Sequence, residues 1–250
     1  MGNVSQVPPF SHTDKVYRTL QISGKTTLST VQTGAFNKLK VTGMWLSAIG
    51  ITAIQSGAFA DLNDTLVSLY LKHNKLETMP EDIFDGLGQL KTLHLENNQF
   101  KIVIPKWFSH TPALRTLSFD GNNLQTMPDD IFNDLHQLER LNISHNYLKI
   151  VKTAWFRQLT NLKILHLENN QLETIPGDAF QELKPHLDSL ALYGNPLACD
   201  CRLSWVRTIA DILSKDSIAL CVSPPPVNGT SVVAYDISMC AATTTETGIS

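Results

Sequence analysis

The sequence predicts an α/β solenoid in which short parallel strands stack into one curved sheet. Seven phenylalanines recur at intervals of 23 to 25 residues: Phe36, Phe59, Phe84, Phe108, Phe132, Phe156 and Phe180. A segment of this size is one supersecondary unit, and it buries its apolar side only by stacking on its neighbours. We therefore look for function on an extended surface.

A second series has the same period and predicts the strands. Six asparagines stand in the frame LxxLxLxxNxL: Asn74, Asn98, Asn122, Asn146, Asn170 and Asn195. The Leu-x-Leu alternation predicts a short strand. The amide that follows has a donor and an acceptor for backbone groups at the turn. Together the two series resemble the leucine-rich repeat family over residues 17 to 197, which implies a horseshoe with its sheet on the concave side.

The returning half of each repeat is predicted to be extended and rich in turns. Each phenylalanine there is most simply a core residue. Proline follows Met79, Met127 and Ile175, and proline disfavours helical backbone in the residue before it. We therefore expect the density of strands to lie on one side of the solenoid.

The pattern divides the chain into four parts: an N-terminal segment at 1–16, about eight repeats at 17–194, a cysteine-rich cap at 195–240 and a Thr-rich stalk, predicted to be disordered, at 241–250. Lys25 and Ile49 replace the asparagine in the first two repeats. Extracellular members of the family usually begin with a disulfide-bonded cap, and residues 1–16 contain no cysteine. We therefore expect either that the first strand is covered in another way, for example by the segment from Val7 to Val16, or that the sequence is truncated at this end.

All four cysteines follow the last repeat. The stretch from Asn195 to Trp205 resembles the C-terminal cap of extracellular leucine-rich repeat proteins. That resemblance implies disulfides Cys199–Cys221 and Cys201–Cys240. A zinc site is the competing interpretation, but this spacing lacks the usual cysteine pairs. A short helix over 202–213 is expected to cover the last coil, with apolar residues at helical spacing: Leu203, Val206, Ala210 and Leu213.

Several features favour an extracellular location. Four N-x-S/T sequons are candidate glycosylation sites: Asn3, Asn63, Asn142 and Asn228. No apolar stretch approaches the roughly 18–20 residues that cross a bilayer, although a membrane anchor beyond the stalk stays open. The balance of 20 Lys and Arg against 23 Asp and Glu does not favour a nucleic-acid partner.

The repeat register predicts which side chains point out from the concave sheet. We expect the ligand-binding residues to be Trp45, Tyr70, Lys72, His94, Glu96, Ser118, Asp120, Arg140, Asn142, His166, Glu168 and Tyr193. Aromatic residues and arginine dominate interface energetics, so exposed Trp45, Tyr70 and Tyr193 are the expected anchors. The alternative is that this surface is an ordinary solvated sheet face that binds no ligand. The charged residues are expected to set charge complementarity and association rate.

No catalytic residue, metal or cofactor is predicted. Ser23 to Thr26 resembles the end of a phosphate-binding loop, but Thr19 stands where that motif needs glycine. His94 and His166 lie three strands apart, about 14 Å at the usual strand spacing, which is too far to share an ion. We expect these histidines to reflect similarity between repeats and to form neither a metal site nor a pH switch.

The repeats, cap and Thr-rich stalk together resemble variable lymphocyte receptors. That resemblance implies a non-catalytic immune recognition protein that binds antigens, glycans or lipopolysaccharide-type microbial molecules with its concave face. The interval between Cys201 and Cys221 is short for such a receptor, which favours an invariant innate relative. The alternative is a cell-adhesion or guidance ectodomain of the Slit or Nogo-receptor type, with a structural matrix protein as a third possibility.

Overall fold

The computed structural model describes residues 16–22, 28–213, 219–225 and 228–234. Its main feature is a parallel sheet of eight strands, each paired with the strand of the next repeat. The predicted solenoid is confirmed. In chain order the strands are β1 Tyr17–Gln21, β2 Thr30–Val31, β3 Val41–Trp45, β4 Ala53–Ile54, β5 Ser68–Tyr70, β6 Thr92–His94, β7 Thr116–Ser118, β8 Arg140–Asn142, β9 Ile164–His166, β10 Ser189–Ala191, β11 Leu197–Ala198 and β12 Cys221–Ser223.

The large sheet has the order β1-β3-β5-β6-β7-β8-β9-β10, while β2 pairs with β4 and β11 pairs with β12. Among the described residues every helix is of the 3₁₀ type: Ala60–Leu62, Pro105–Phe108, Thr153–Trp155 and Cys201–Ile209. The extended returning half that the Met-Pro and Ile-Pro steps predict is therefore confirmed. Strand structure concentrates on the concave side, so the outward residues of that sheet form the broadest regular surface.

The phenylalanine series is an internal ladder. All seven rings are buried, and three neighbouring pairs are in ring contact, with centroids 5.7 Å apart for Phe36 and Phe59, 6.2 Å for Phe108 and Phe132 and 5.6 Å for Phe156 and Phe180. Trp205 extends the ladder into the cap, since its ring centroid lies 5.7 Å from that of Phe180. Its Nε1–H also donates to the carbonyl of Ile175 at 3.3 Å. The cap thus closes the core with one more aromatic rung.

The asparagine series forms a second internal ladder, as predicted. The Asn122 amide donates to the carbonyls of Leu95 and Phe119 at 3.0 and 2.9 Å, and its Oδ1 accepts from the Phe100 N–H at 3.1 Å. The other five asparagines make equivalent bonds and are likewise buried. Each side chain therefore satisfies backbone groups of two adjacent coils.

The residue before each ladder position has left-handed backbone. Non-glycine residues with positive φ occur there at Ala48, His73, Asn97, His145 and Asn169, and glycine occurs at Gly121 and Gly194. Asparagine and histidine tolerate this region better than most residues, and glycine occupies it freely. This left-handed column turns the chain from the concave sheet into the returning half.

The cap differs in part from expectation. The Cys199–Cys221 disulfide is confirmed, whereas Cys240, and with it the Cys201–Cys240 pairing, lies outside the described residues. The helix is a 3₁₀ helix that ends at Ile209, so the prediction of a helix to residue 213 was wrong. With three residues per turn, Leu203, Val206 and Ile209 share the buried side, and Ala210 is exposed.

Candidate ligand-binding face

The strand pairing places the predicted outward residues side by side. The central column is Gln21, Trp45, Tyr70, His94, Ser118, Asn142, His166 and Ala191. Arg140 belongs to the flanking column, between Thr116 and Ile164. Backbone hydrogen bonds between coils align a further row just past the strands: Lys72, Glu96, Asp120, Ser144, Glu168 and Tyr193. The predicted register is confirmed throughout the described strands.

Three rings of the central column form a stack, which we call the ring ladder: Trp45, Tyr70 and His94. The ring centroids of Trp45 and Tyr70 lie 4.7 Å apart with planes at 11°, and those of Tyr70 and His94 lie 4.7 Å apart at 9°. This distance matches the spacing of about 4.8 Å between strands. A Cβ on Gly43 would lie 2.5 Å from the Trp45 ring, so glycine makes room for the indole.

Stacking changes the exposure that the sequence suggested. Trp45, Tyr70 and Tyr193 were expected to be solvent-exposed anchors, but all three are half-buried. For Trp45 and Tyr70 the reason is that a neighbouring ring covers at least one face of each. Ser118 and Glu168 are buried, at 5% and 6% exposure. Fewer of the predicted residues are therefore fully accessible to a ligand than the sequence suggested.

A polar network, which we call the Asp120 network, occupies the next strands. The Asp120 Oδ1 accepts from the Ser144 hydroxyl at 2.6 Å and from His145 Nδ1–H at 2.8 Å. Asn169 donates to His145 Nε2 at 2.9 Å, which suits a neutral ring with its proton on Nδ1. The Ser144 hydroxyl also lies 2.6 Å from Asn142 Oδ1. The carboxylate therefore has a fixed orientation.

Two further histidines pair with carboxylates two residues later in their own repeats. His94 Nδ1 contacts Glu96, and His166 Nδ1 lies 3.1 Å from Glu168 Oε1. The hydrogen bond to Glu168 raises the pKa of His166 above its ordinary value, burial opposes this, and the charges of Glu168 and Asp120 add to the increase. The two repeats have similar sequences, so each histidine has its carboxylate partner at the same position.

Ser144, His145 and Asn169 are contacts that the predicted binding set omitted. The available sequence signal was the repeat position that forms the left-handed column: His145 and Asn169 occupy it in adjacent repeats, and Asp120 precedes Gly121 at the same position. Residues of that column border the outward row, so they reach its side chains.

The sequons differ in accessibility. Asn63 and Asn228 are exposed, although the Asn63 amide lies against Gly86 of the next repeat. Asn142 is half-buried on the concave side, and its Oδ1 accepts from the Ser144 N–H at 2.9 Å. Asn3 lies outside the described residues. Glycosylation of these four sites stays a prediction.

Two absences among the described residues bear on the type of site. No group of three or more His, Cys, Asp or Glu side chains is arranged to hold a metal ion within them. None of the helices in that part of the chain has the length and apolar character needed to cross a membrane.

Comparison with known families agrees with the geometry. The profile described as "Leucine rich repeat" matches five overlapping segments, at 41–100, 64–124, 89–148, 112–163 and 137–197. The chain belongs to the leucine-rich repeat family. Domains of this family are typically non-catalytic modules that mediate protein binding.

Two individual matches place the chain within the family. A segment of 57 residues is 47% identical to Pollen receptor-like kinase 2 of Arabidopsis thaliana and covers 22% of this chain but only 9% of the kinase. The crystal structure of human 5T4 (Wnt-activated inhibitory factor 1, trophoblast glycoprotein) superimposes with a TM-score of 0.74 at 26% identity, over 94% of this chain and 89% of that one. The fold is thus similar to that of 5T4 over nearly the whole chain.

Proposed function

We propose that this chain is a non-catalytic extracellular recognition protein that binds a macromolecular ligand through its concave face. The main support for the proposal is the difference between the inward and the outward positions of the sheet. The inward positions repeat leucine, asparagine and phenylalanine, whereas the outward rows vary among aromatic, acidic, basic and small residues. The inward positions are restricted by packing. The outward positions are not, and their variety on one continuous surface supports a role in recognition.

An immune role of the variable-lymphocyte-receptor type, directed at antigens or microbial surface molecules, is the first candidate. It is supported by the resemblance of the repeats, the cap and the stalk composition, together with the Cys199–Cys221 bond. Localisation outside the cell is part of this proposal, and the disulfide supports it because such bonds persist in oxidising compartments.

The second candidate is an ectodomain that binds a host protein, as in adhesion or guidance receptors. The match to a human glycoprotein over 94% of this chain favours it. The two candidates share the concave face and differ in the source of the ligand. They are therefore separable by testing the same variants on both classes of ligand.

The experiment measures binding of the purified protein to whole bacteria, lipopolysaccharide and lipoteichoic acid, and to a panel of cell-surface ectodomains. The wild type is compared with the double variant Trp45→Ala, Tyr70→Ala and with Ile102→Ala, which alters an exposed residue of the returning half. Microbial binding that only the double variant loses supports the immune role, and the same result on host ectodomains supports the second candidate. Binding that the double variant retains refutes the concave site.

A further inference from the structure

The ring ladder limits what chemistry the concave face accepts. Tyr70 is stacked on both sides, by Trp45 and by His94. A planar base or a sugar ring that binds by stacking needs a free ring face, and the middle ring of the ladder, Tyr70, has none. Ring edges carry the indole and phenol donors beside apolar carbon. The ladder therefore suits the mixed apolar and polar contacts of a protein partner.

The outward row just past the strands is acidic. Three carboxylates, Glu96, Asp120 and Glu168, share the outward row with a single cation, Lys72. Within the described part of the chain, neither Lys72 nor Arg140 forms an ion pair with them. The face thus has an excess of negative charge when its histidines are neutral.

Two of these carboxylates have unused acceptor capacity. Asp120 directs Oδ1 to Ser144 and His145, while no hydrogen bond to its second oxygen occurs among the described residues. Glu96 binds His94 through Oε1, and its Oε2 is buried without a partner. Buried polar atoms normally have a hydrogen-bond partner, so an unpaired acceptor requires an explanation. The Glu96 oxygen is closed to an outside donor because it is buried, whereas Asp120, with 27% of its side chain exposed, can accept a hydrogen bond from a partner.

We infer that the concave face binds a protein segment that places an arginine or lysine side chain against Asp120 and an adjacent apolar side chain against the edges of the ring ladder. This inference rests on the proposed function and names the kind of partner. Charge complementarity selects a basic group, and charge-assisted hydrogen bonds to a fixed carboxylate are the strong ones.

The test is a selection of twelve-residue peptides displayed on phage, run in parallel on four proteins. These are the wild type, Asp120→Asn, the double variant Trp45→Ala, Tyr70→Ala, and the control Asp130→Asn. Asp130 is an exposed carboxylate of the returning half, so its variant makes the same change of charge away from the concave face.

We expect the wild type and Asp130→Asn to enrich peptides in which Arg or Lys stands near an aromatic or branched apolar residue. Asp120→Asn should lose the basic residue from its selected peptides. A synthetic peptide from the wild-type selection should bind Asp120→Asn roughly tenfold more weakly or worse. That difference should shrink as the ionic strength rises, because salt screens exposed charges.

Three results overturn the inference: enriched peptides without basic residues, identical basic peptides selected by Asp120→Asn, or no enrichment on the wild type. The proposed function fails separately, if the double variant selects the same peptides as the wild type. The wild type could also select peptides without basic residues that the double variant no longer selects. That result would support recognition by the concave face and refute only the basic partner.

Discussion

The two sides of each concave strand obey different rules although they share one backbone. Inward, the same residue types recur in every full repeat, as with Asn122 and its equivalents. Outward, neighbours in one column run from Tyr70 through His94 and Ser118 to Asn142. A buried position that must fill space or satisfy backbone groups tolerates few residue types. An outward position carries no such requirement, so the difference separates stability from recognition, and each change below tests that separation.

The largest expected effect is from truncating the phenylalanine ladder. Phe132→Ala should lower the free energy of unfolding by about 3–5 kcal/mol, because it removes a buried ring and leaves a cavity between coils. Chemical denaturation followed by circular dichroism measures this, with Phe132→Leu as the milder control. A loss below about 1 kcal/mol would mean that the coils do not depend on this ladder.

The asparagine ladder should give the next largest effect. Asn122→Ala leaves the carbonyls of Leu95 and Phe119 and the N–H of Phe100 without their partner. We expect a loss of about 1–3 kcal/mol in the free energy of unfolding. The outward variant Asn142→Ala is the matched control, with a smaller expected loss. An unchanged melting temperature for Asn122→Ala would contradict the structural role of the ladder.

The left-handed column predicts a stabilising change. Ala48 is exposed and has φ of 58°, a conformation that costs an L-residue about 1–2 kcal/mol and costs glycine little. Ala48→Gly should therefore stabilise the protein by about 0.5–1 kcal/mol after the entropy of glycine is included. Ala53→Gly, in β4 with ordinary φ, should instead destabilise it. Equal effects of both variants on the melting temperature would contradict the prediction.

The smallest effect is the pH dependence of the His166–Glu168 pair. Because folding raises the pKa of His166, its stabilising contribution is complete below the unfolded value of about 6.5 and is lost as pH rises through the folded value. The contribution should stay below about 0.5 kcal/mol, since the ring is partly exposed and solvent screens it. Melting temperatures of wild type and His166→Gln should converge between pH 5.5 and pH 8.5. A difference that grows with pH would reverse the sign.

The sequence allowed the repeat frame to be predicted in detail because packing imposes it on every coil. The aromatic rung at Trp205 follows Phe180 by 25 residues and so continues the same interval, but the change from phenylalanine to tryptophan concealed it. The sequence could not distinguish a 3₁₀ helix from an α-helix in the cap. Ile209 continues the apolar series at a spacing of three residues, and Ala210 continues it at a spacing of four. Apolar spacing alone therefore does not decide between the two.

The candidate site was predictable as a set of positions but not as a set of contacts. Register follows from the repeat, so the central column from Trp45 to His166 was correct. Which side chains meet depends on rotamers and on bonds between repeats, as when Asp120 contacts His145 of the next coil. The ring ladder likewise depends on Gly43, which leaves space for the Trp45 indole. Binding by this face remains a prediction.

The most direct test of the separation between stability and recognition is one array experiment at low temperature with two variants beside the wild type. The array carries cell-surface ectodomains and microbial surface molecules, and equal amounts of folded protein are applied. We predict that Asn122→Ala, although less stable, labels the same spots as the wild type, while the double variant Trp45→Ala, Tyr70→Ala labels none of them. Retained labelling by the double variant would contradict the account.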